Sequence, residues 1–161
     1  MPRLYILFIA ITGFISIFSC SEDEVTKTSE DSYLVFGRFY GECLGEQCVE
    51  IFKLEHERLF EDTNDIYPGN DNFYTGNFVE LGNDKYQLVK DLRDHFPKKL
   101  LEEIQVVYGC PDCADQGGLY IEYKSDTIHK YWILDQSKTN VPEYLHAFMD
   151  LVNEKIEIIN E

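Results

Sequence analysis

Segments rich in aromatic and β-branched side chains recur along the chain, and they predict the strands of a β-sheet. Two of the turns between them can be read directly. Gly45 can take positive φ in the turn after the first strand, and Ser-Asp-Thr at 125–127 predicts a hairpin. The five predicted strands are residues 33–40, 48–54 with a continuation at 58–60, 104–108, 119–124 and 128–134.

A first helix is predicted from Asn83 or Asp84 to about His95, because apolar residues recur there at helical spacing. Pro97 interrupts the pattern, and one further turn can follow it. The residues that share one face of this helix are Tyr86, Leu88, Val89, Leu92 and Phe96.

The C-terminal segment predicts a second helix, which starts near Asn140. Asn140 and Glu143 have the spacing of a capping box around Pro142. Its apolar positions are Tyr144, Leu145, Phe148, Val152, Ile156 and Ile159. The predicted order is ββαβββα. We therefore expect one domain over residues 33–161, a two-layer α+β fold whose antiparallel sheet of about five strands carries two helices on one face.

The first residues have a different pattern. Arg3 is followed by an uncharged, mostly apolar stretch over residues 4–18, which is shorter than the ~20 residues of a membrane-spanning helix. A basic start, a short apolar core and the small residue Ser19 are typical of a secretory signal. Residues 1–19 are therefore predicted to be a signal peptide.

Ile17-Phe18-Ser19-Cys20 resembles the lipobox of bacterial lipoproteins. The resemblance implies that Cys20 becomes the first residue and is acylated, for example with palmitate, so that the protein is held on a membrane by lipid. Ser21-Glu22-Asp23-Glu24 looks like the surface-export signal of bacteroidete lipoproteins, which implies the outer membrane and is compatible with display on its outer face. The acidic, Ser/Thr-rich stretch 20–32 is predicted to be a flexible tether.

The remainder of the chain, from about Tyr33 to Ile156, resembles small uncharacterised bacteroidete lipoproteins. The resemblance is carried by three stretches, YGEC-x4-C, GCPDC-x-DQGG and VPEYLHAFMDLVNEKI. That family has no assigned activity, so the resemblance bears only on location and on the extent of the domain.

The charge of the chain excludes one class of partner. Thirty acidic and 14 basic residues give a net charge of −16, and removal of Arg3 with the signal makes it −17. Nucleic acid phosphates would repel such a protein, so we expect no nucleic acid binding. We expect a monomer without a cofactor, whose partner is the membrane through its lipid anchor, together with an envelope protein or small ligand.

Four cysteines form two close pairs, Cys43 with Cys48 and Cys110 with Cys113. In an oxidising compartment they predict disulfides, either two local bridges or two cross-links between the loops. Their spacing also resembles a four-thiolate zinc site. The third alternative is a redox centre at Cys110 and Cys113, which the acidic neighbours Asp112 and Asp115 disfavour because they oppose a thiolate.

Other polar and aromatic groups are candidates for binding, and each has a simpler structural explanation. Glu143, His146 and Asp150 share a helix face, but only half of a di-iron pattern is present. His56 and His95 are interpreted as surface residues.

The loop 62–72 has oxygen ligands suited to calcium but lacks the EF-hand register, and it is interpreted as turn chemistry. Two aromatic groups predict either strands or a sugar-stacking face, namely Phe36, Phe39 and Tyr40, and Tyr120, Tyr123, Tyr131 and Trp132.

No catalytic motif of the nucleophile-elbow, phosphate-loop or dinucleotide type occurs in the sequence. The leading hypothesis is therefore a non-enzymatic cell-envelope lipoprotein that acts as a binding or interaction module. The alternative is a thiol-based zinc or redox protein that uses Cys43, Cys48, Cys110 and Cys113.

Overall fold

The computed structural model describes residues 32–70 and 72–161. Three predictions lie outside these residues, namely the signal peptide 1–19, the acylation of Cys20 and nearly all of the tether 20–32. Among the residues that are described, no helix is long and apolar enough to cross a membrane.

The described residues contain seven strands, namely β1 Tyr33–Phe39, β2 Val49–Glu55, β3 Arg58–Asp62, β4 Phe78–Glu80, β5 Val107–Tyr108, β6 Gly118–Lys124 and β7 His129–Asp135. They form one mixed sheet in the order β4-β3-β2-β1-β6-β7-β5. All neighbouring strands are antiparallel except β5, which runs parallel to β7. The long strands β1, β2, β6 and β7 form the centre, where the aromatic and β-branched segments predicted them.

The α+β class is confirmed, but the predicted antiparallel sheet of five strands and the order ββαβββα are wrong, because the sheet has seven strands and β5 runs parallel to β7. The observed order is ββββαβββα. Residues 58–60 belong to a separate strand because the chain reverses at His56, which has φ 56°. The three-residue strand β4 follows the loop 63–77, and Leu81 N–H donates to Leu59 O to hold it beside β3. Strands as short as β4 and β5 show too few positions for a recognisable sequence pattern.

The two helices are α1, Asn83–Val89, and α2, Glu143–Asn160. The first was predicted to reach His95, but α1 ends earlier and short 3₁₀ segments follow at Leu92–His95 and Lys98–Glu102. Two further 3₁₀ turns lie at Glu46–Cys48 and Lys138–Asn140. The predicted capping box at the start of α2 is wrong, because the Asn140 side chain donates to Asp135 and no side chain caps the helix.

Both helices pack on the same face of the sheet, as predicted. Phe96, which follows the shortened helix, is central to this core, and its ring centroid lies 4.9 Å from that of Tyr123 and 5.7 Å from that of Phe148. The sheet contributes Leu34, Phe36, Phe52, Leu54, Leu119, Ile121, Trp132 and Leu134, and the helices contribute Val89, Leu145, Phe148, Met149, Val152, Ile156 and Ile159.

The opposite face of the sheet is covered by the loop 63–77 instead of a helix. Tyr67 packs edge-on against Phe39, with ring centroids 4.9 Å apart, and Tyr74 lies 5.6 Å from Tyr120. The small core beneath the loop comprises Val35, Phe39, Val49, Ile51, Tyr120 and Ile133. The central strands are therefore buried on both faces, which places polar strand residues such as Glu122 inside the molecule.

Candidate functional site

A buried carboxylate lies on the loop-covered face of the sheet. Glu122 in β6 is 2% exposed, and alternation along the strand places it on the same face as Tyr120. Its Oε1 accepts a hydrogen bond from Tyr33 Oη at 2.8 Å and lies 2.8 Å from His129 Nε2. Its Oε2 accepts hydrogen bonds from Tyr120 Oη at 2.6 Å and from Tyr74 N–H at 3.3 Å. We call these five residues the Glu122 cluster.

The register of the central strands brings the Glu122 cluster together. Tyr33 in β1 and His129 in β7 are both paired with Lys124, which is two residues from Glu122 along β6. Side chains two residues apart share a face, so both rings reach the carboxylate diagonally across neighbouring strands. The cluster therefore joins three strands to the loop that carries Tyr74.

The tyrosines of this face are held as hydrogen-bond donors. Burial, followed by the hydrogen bond and charge of Glu122, raises the pKa of Tyr33 well above its ordinary value, and burial and Glu122 do the same to the pKa of Tyr120. Burial and the Asp62 hydrogen bond raise the pKa of Tyr74 in the same way. These hydroxyls remain protonated at neutral pH, so they orient the carboxylates and do not act as bases.

An open cleft of about 320 Å³ borders this cluster. The ring of Phe73 stacks on His129 with centroids 3.7 Å apart and planes 11° apart, and it meets Tyr131 edge-on at 5.3 Å. On the other side Ile104 is 95% exposed. We call this feature the Phe73 cleft, and its lining comprises Phe73, residues 103–106 and residues 129–132.

Lys130 fixes the outer wall of the cleft. Its Nζ donates to the carbonyl oxygens of Leu101 at 2.6 Å and Glu103 at 3.1 Å, which ties β7 to the segment before β5. Beyond this segment Ile133 N–H donates to Val106 O, where β5 joins the sheet. The cleft is therefore the gap left between β7 and a segment held at both of its ends.

The cysteines form two local pairs at disulfide distance, Cys43–Cys48 and Cys110–Cys113, each with Cα atoms 5.5 Å apart. This arrangement supports the prediction of disulfides and the local pairing. The two loops are also neighbours, because Asp112 Oδ2 accepts hydrogen bonds from Gly41 N–H at 2.6 Å and from Tyr67 Oη at 3.3 Å.

Asp135, the last residue of β7, binds the loop that carries Cys110 and Cys113. It accepts hydrogen bonds from Cys110 N–H at 3.0 Å, Ser137 N–H at 2.8 Å and Asn140 Nδ2 at 2.7 Å. Burial by itself would raise the pKa of Asp135, but these bonds and one from Gln116 outweigh it and lower the pKa below its ordinary value. The carboxylate therefore remains charged and organises the loop at neutral pH.

The alternatives for the cysteines differ in what they require. A zinc site needs free thiolates, which sulfurs paired as bridges do not supply. A redox centre alternates between a bridge and a dithiol, so it would also contain a Cys110–Cys113 bridge. Across residues 32–70 and 72–161, no group of three or more His, Cys, Asp or Glu side chains is placed to hold a metal ion. A turn at 111–114 and then β6 follow Cys110, whereas the reactive cysteine of thioredoxin-like proteins lies at the N-terminus of a helix.

The candidates on the C-terminal helix are not brought together into one site. His146 Nε2 lies 2.9 Å from Val141 O, while Asp150 pairs with Lys138 Nζ at 2.5 Å and Glu143 is exposed. His56 and His95 lie at the surface, as interpreted from the sequence.

The loop 62–72 is organised by one of its own carboxylates. Asp62 is buried and accepts hydrogen bonds from Asn77 N–H at 2.5 Å, from Asn64 N–H at 3.2 Å and from Tyr74 Oη. The interpretation of this segment as turn chemistry agrees with these contacts.

The aromatic residues considered for sugar stacking do not share a face. Phe36 and Trp132 lie in the helix-facing core and Tyr123 packs against it, whereas Phe39, Tyr120 and Tyr131 lie on the loop-covered side. All of them except Tyr40 lie in strands, which agrees with the interpretation from strand propensity. Alternation along each strand sends neighbouring aromatic residues to opposite faces, so they do not form one continuous sugar-stacking face.

Sequence reasoning missed Glu122, His129 and Phe73. One signal was present, since Glu122 lies two residues after Tyr120 in a strand and thus on a face with an apolar neighbour. The approach of Tyr33 across β1 and of Phe73 from the loop depends on contacts between distant parts of the chain, and no local pattern reveals them.

No protein-family model matches this chain, and no curated protein matches it. A functional assignment therefore rests on the geometry above and on the motif at the N-terminus.

Proposed function

We propose that this protein is a non-enzymatic cell-envelope lipoprotein whose folded part is a binding module, with the Phe73 cleft as its ligand site. The observation that carries the proposal is the cleft itself, in which aromatic and apolar side chains stand open to solvent beside a rigid polar cluster. Small-molecule and side-chain sites in proteins combine a concave apolar lining with a few fixed polar groups.

The Glu122 cluster supports a binding role because it holds one wall of the cleft in place. Glu122 and Tyr33 both contact His129 Nε2, and Phe73 stacks on the same imidazole ring. A ligand that enters the cleft meets aromatic surfaces whose orientation is already set, which reduces the entropy lost on binding. The ligand class that fits is a molecule or side chain with an aromatic or branched apolar part.

The same contacts favour binding over catalysis. Both oxygens of Glu122 are engaged by hydrogen bonds, and the hydroxyls of Tyr33 and Tyr120 are held in their protonated form. A general base needs a free lone pair aimed at the substrate and a pKa near the working pH. These groups are arranged as structural supports instead.

The location is proposed from the N-terminal sequence. The lipobox-like Ile17–Cys20 and the acidic residues 21–24 support a lipid anchor at Cys20 in the outer membrane, and the tether would connect that anchor to β1. Because the chain is strongly acidic, attraction to anionic headgroups would not hold it there, so the acyl chains would carry the anchoring.

The single tryptophan provides a direct test of the cleft, because Trp132 belongs to its lining. The probe is the dye 1-anilinonaphthalene-8-sulfonate, an anion with a large aromatic part, and its binding is followed by energy transfer from Trp132. We expect saturable binding to the wild-type protein and at least tenfold weaker binding to Ile104→Asp. Ile104 is almost wholly exposed, so its replacement should leave the fold intact.

Leu44→Asp is the matched control. Leu44 resembles Ile104 in size and is also fully exposed, but it lies in the turn between β1 and β2 and outside the Phe73 cleft. It should bind the dye as the wild type does. Equal dye binding by Ile104→Asp and wild type would rule out the Phe73 cleft as an apolar ligand site.

A further inference from the structure

A second groove, of about 620 Å³, lies beside the β2–β3 turn. Its cationic lining consists of Arg58, Lys90 and Arg93, with His56 at the turn. Two acidic residues, Glu57 and Asp94, also line it, so it carries one net positive charge with histidine neutral. Residues 32–161 as a whole contain 25 acidic and 12 basic residues, a net charge of −13. When Glu80, which pairs with Arg58, is counted as well, the positive and negative charges balance. The groove is thus a local concentration of cations on an acidic molecule, and we call it the basic groove.

The cations of the basic groove are incompletely neutralised. Arg58 Nη1 lies 3.4 Å from Glu80, and both side chains are about half exposed. Lys90 Nζ donates to the neutral amide of Gln87 at 2.8 Å. Among the described residues, neither Lys90 nor Arg93 forms an ion pair with a carboxylate.

The acidic tether joins the folded part at this groove. Ser32, immediately before β1, is buried, and its Oγ accepts a hydrogen bond from Arg93 Nη2 at 3.0 Å. Tyr33 is paired with Glu55, so the residues before Tyr33 leave the sheet next to the turn formed by His56 and Glu57. Residues 21–31 contain five acidic residues and one lysine, a net charge of −4.

We propose that segment 21–31 docks in the basic groove, with the carboxylates of Glu30 and Asp31 paired with Lys90 and Arg93. Glu30 and Asp31 precede Ser32 directly, and one or two residues of chain span about 3.5 to 7 Å, which is within reach of the groove. Because the ligand is covalently attached, its effective concentration is on the order of millimolar, so weak ion pairs suffice to hold it. At 0.1 M salt the Debye length is about 10 Å, so acidic residues that lie farther than this from the groove are largely screened.

Docking would fix the direction in which the chain leaves β1 and would shorten the span between Cys20 and the sheet. It goes beyond the proposed binding function, because it involves neither the Phe73 cleft nor acylation of Cys20. The two proposals can therefore fail independently.

Trypsin provides the test, because Lys27 is the only basic residue in residues 20–31. The full chain is purified in a non-ionic detergent, and the rate of cleavage after Lys27 is compared with that of a synthetic peptide of residues 21–31. In 0.1 M salt, where the Debye length is about 10 Å, we expect cleavage of the protein to be at least fivefold slower than that of the peptide. In 0.5 M salt, which screens the ion pairs, the two rates should converge.

Charge variants identify the groove as the docking site. Lys90 is exposed, and Lys90→Glu should raise the low-salt rate of the protein at least fivefold. Lys98→Glu, which makes the same charge change at an exposed residue outside the groove, should leave the rate unchanged. The double variant Glu30→Gln, Asp31→Asn removes the two carboxylates from the segment, and its cleavage is compared with that of a peptide carrying the same two changes. In the protein with Lys90 intact, the double variant should be cleaved faster than the unchanged segment. In the Lys90→Glu protein, the same two changes should have no further effect.

Two results would overturn the proposal. One is cleavage of the wild-type protein at the rate of the free peptide in low salt, which means that the segment does not dock. The other is an equal effect of Lys90→Glu and Lys98→Glu, which means that general charge and not this groove controls the segment.

Discussion

Replacing Glu122 should reveal how much of the stability depends on its buried cluster. In Glu122→Ala the hydroxyl of Tyr120 loses its acceptor while it remains covered by the loop, whereas Tyr74 N–H can still donate to Tyr120 Oη at 2.8 Å. A buried donor left without a partner costs about 1–3 kcal/mol. Together with the space left by the side chain, we expect a loss of about 2–4 kcal/mol, a large fraction of the 5–15 kcal/mol typical of a domain.

Glu122→Gln should be milder, because the amide keeps the shape of the side chain. The amide oxygen can still accept hydrogen bonds from the Tyr120 hydroxyl and from Tyr74 N–H. The backbone N–H can only donate, so it fixes the amide oxygen on this side. The amide NH₂ group then faces Tyr33 and His129, and both of these can act as acceptors. The hydrogen bonds survive without the charge that strengthens them, so we expect a loss of about 1–2 kcal/mol.

The assay is equilibrium unfolding in urea, followed by the fluorescence of Trp132, with Glu154→Ala as the control at an exposed acidic residue of α2. The control should stay within about 0.5 kcal/mol of the wild type. If Glu122→Ala were also within 1 kcal/mol of the wild type, or if Glu122→Gln were equally damaging, the cluster would not support the sheet as argued.

Two further predictions concern the cysteine loops. Reduction of Cys43–Cys48 and Cys110–Cys113, which close loops of sequence separation 5 and 3, should remove at most about 2 kcal/mol each. Calorimetry should show a lower Tm with cooperative unfolding, and a chelator alone should do nothing, whereas collapse on chelation without a reductant would indicate zinc. The lowered pKa of Asp135 means that its contribution to stability is complete above the unfolded pKa of about 3.9 and is lost as the pH falls through the folded pKa. The difference in unfolding free energy between wild type and Asp135→Asn should therefore be large at pH 7 and shrink below about pH 4, and a difference independent of pH would contradict this role.

The sequence was informative where secondary structure is long and follows a simple period. The four central strands and the amphipathic helix α2 were predicted because seven or more residues each supply the pattern. The strand β4 was missed, and β5 was predicted too long. They have three and two residues, which is too few to show an alternating pattern, and their pairing is set by tertiary contacts. The helix α1 was predicted too long for a related reason, because a 3₁₀ segment such as Leu92–His95 keeps apolar residues on the core side without continuing the helix.

The candidate site was less predictable than the fold. The local cysteine pairing was one of the two disulfide arrangements that the sequence left open, and it requires no knowledge of distant contacts. By contrast, the environment of Glu122 is created by the pairing of β1 with β6 and by a loop that folds over the sheet. Residues 33 and 122 are 89 positions apart, and only the order of the strands makes them neighbours.

Identification of the first residue and its modification in the producing cells would test the proposal of a lipid-anchored envelope protein most directly. Cells are fed an alkyne analogue of palmitate, fractionated into inner and outer membranes, and the protein is analysed by mass spectrometry. We expect a chain that begins at an acylated Cys20, labelled and recovered with the outer membrane. Cys20→Ala should be unlabelled and either released or retained as an uncleaved precursor. A Cys20→Ala protein that still fractionates as a mature, lipid-modified chain would contradict the account.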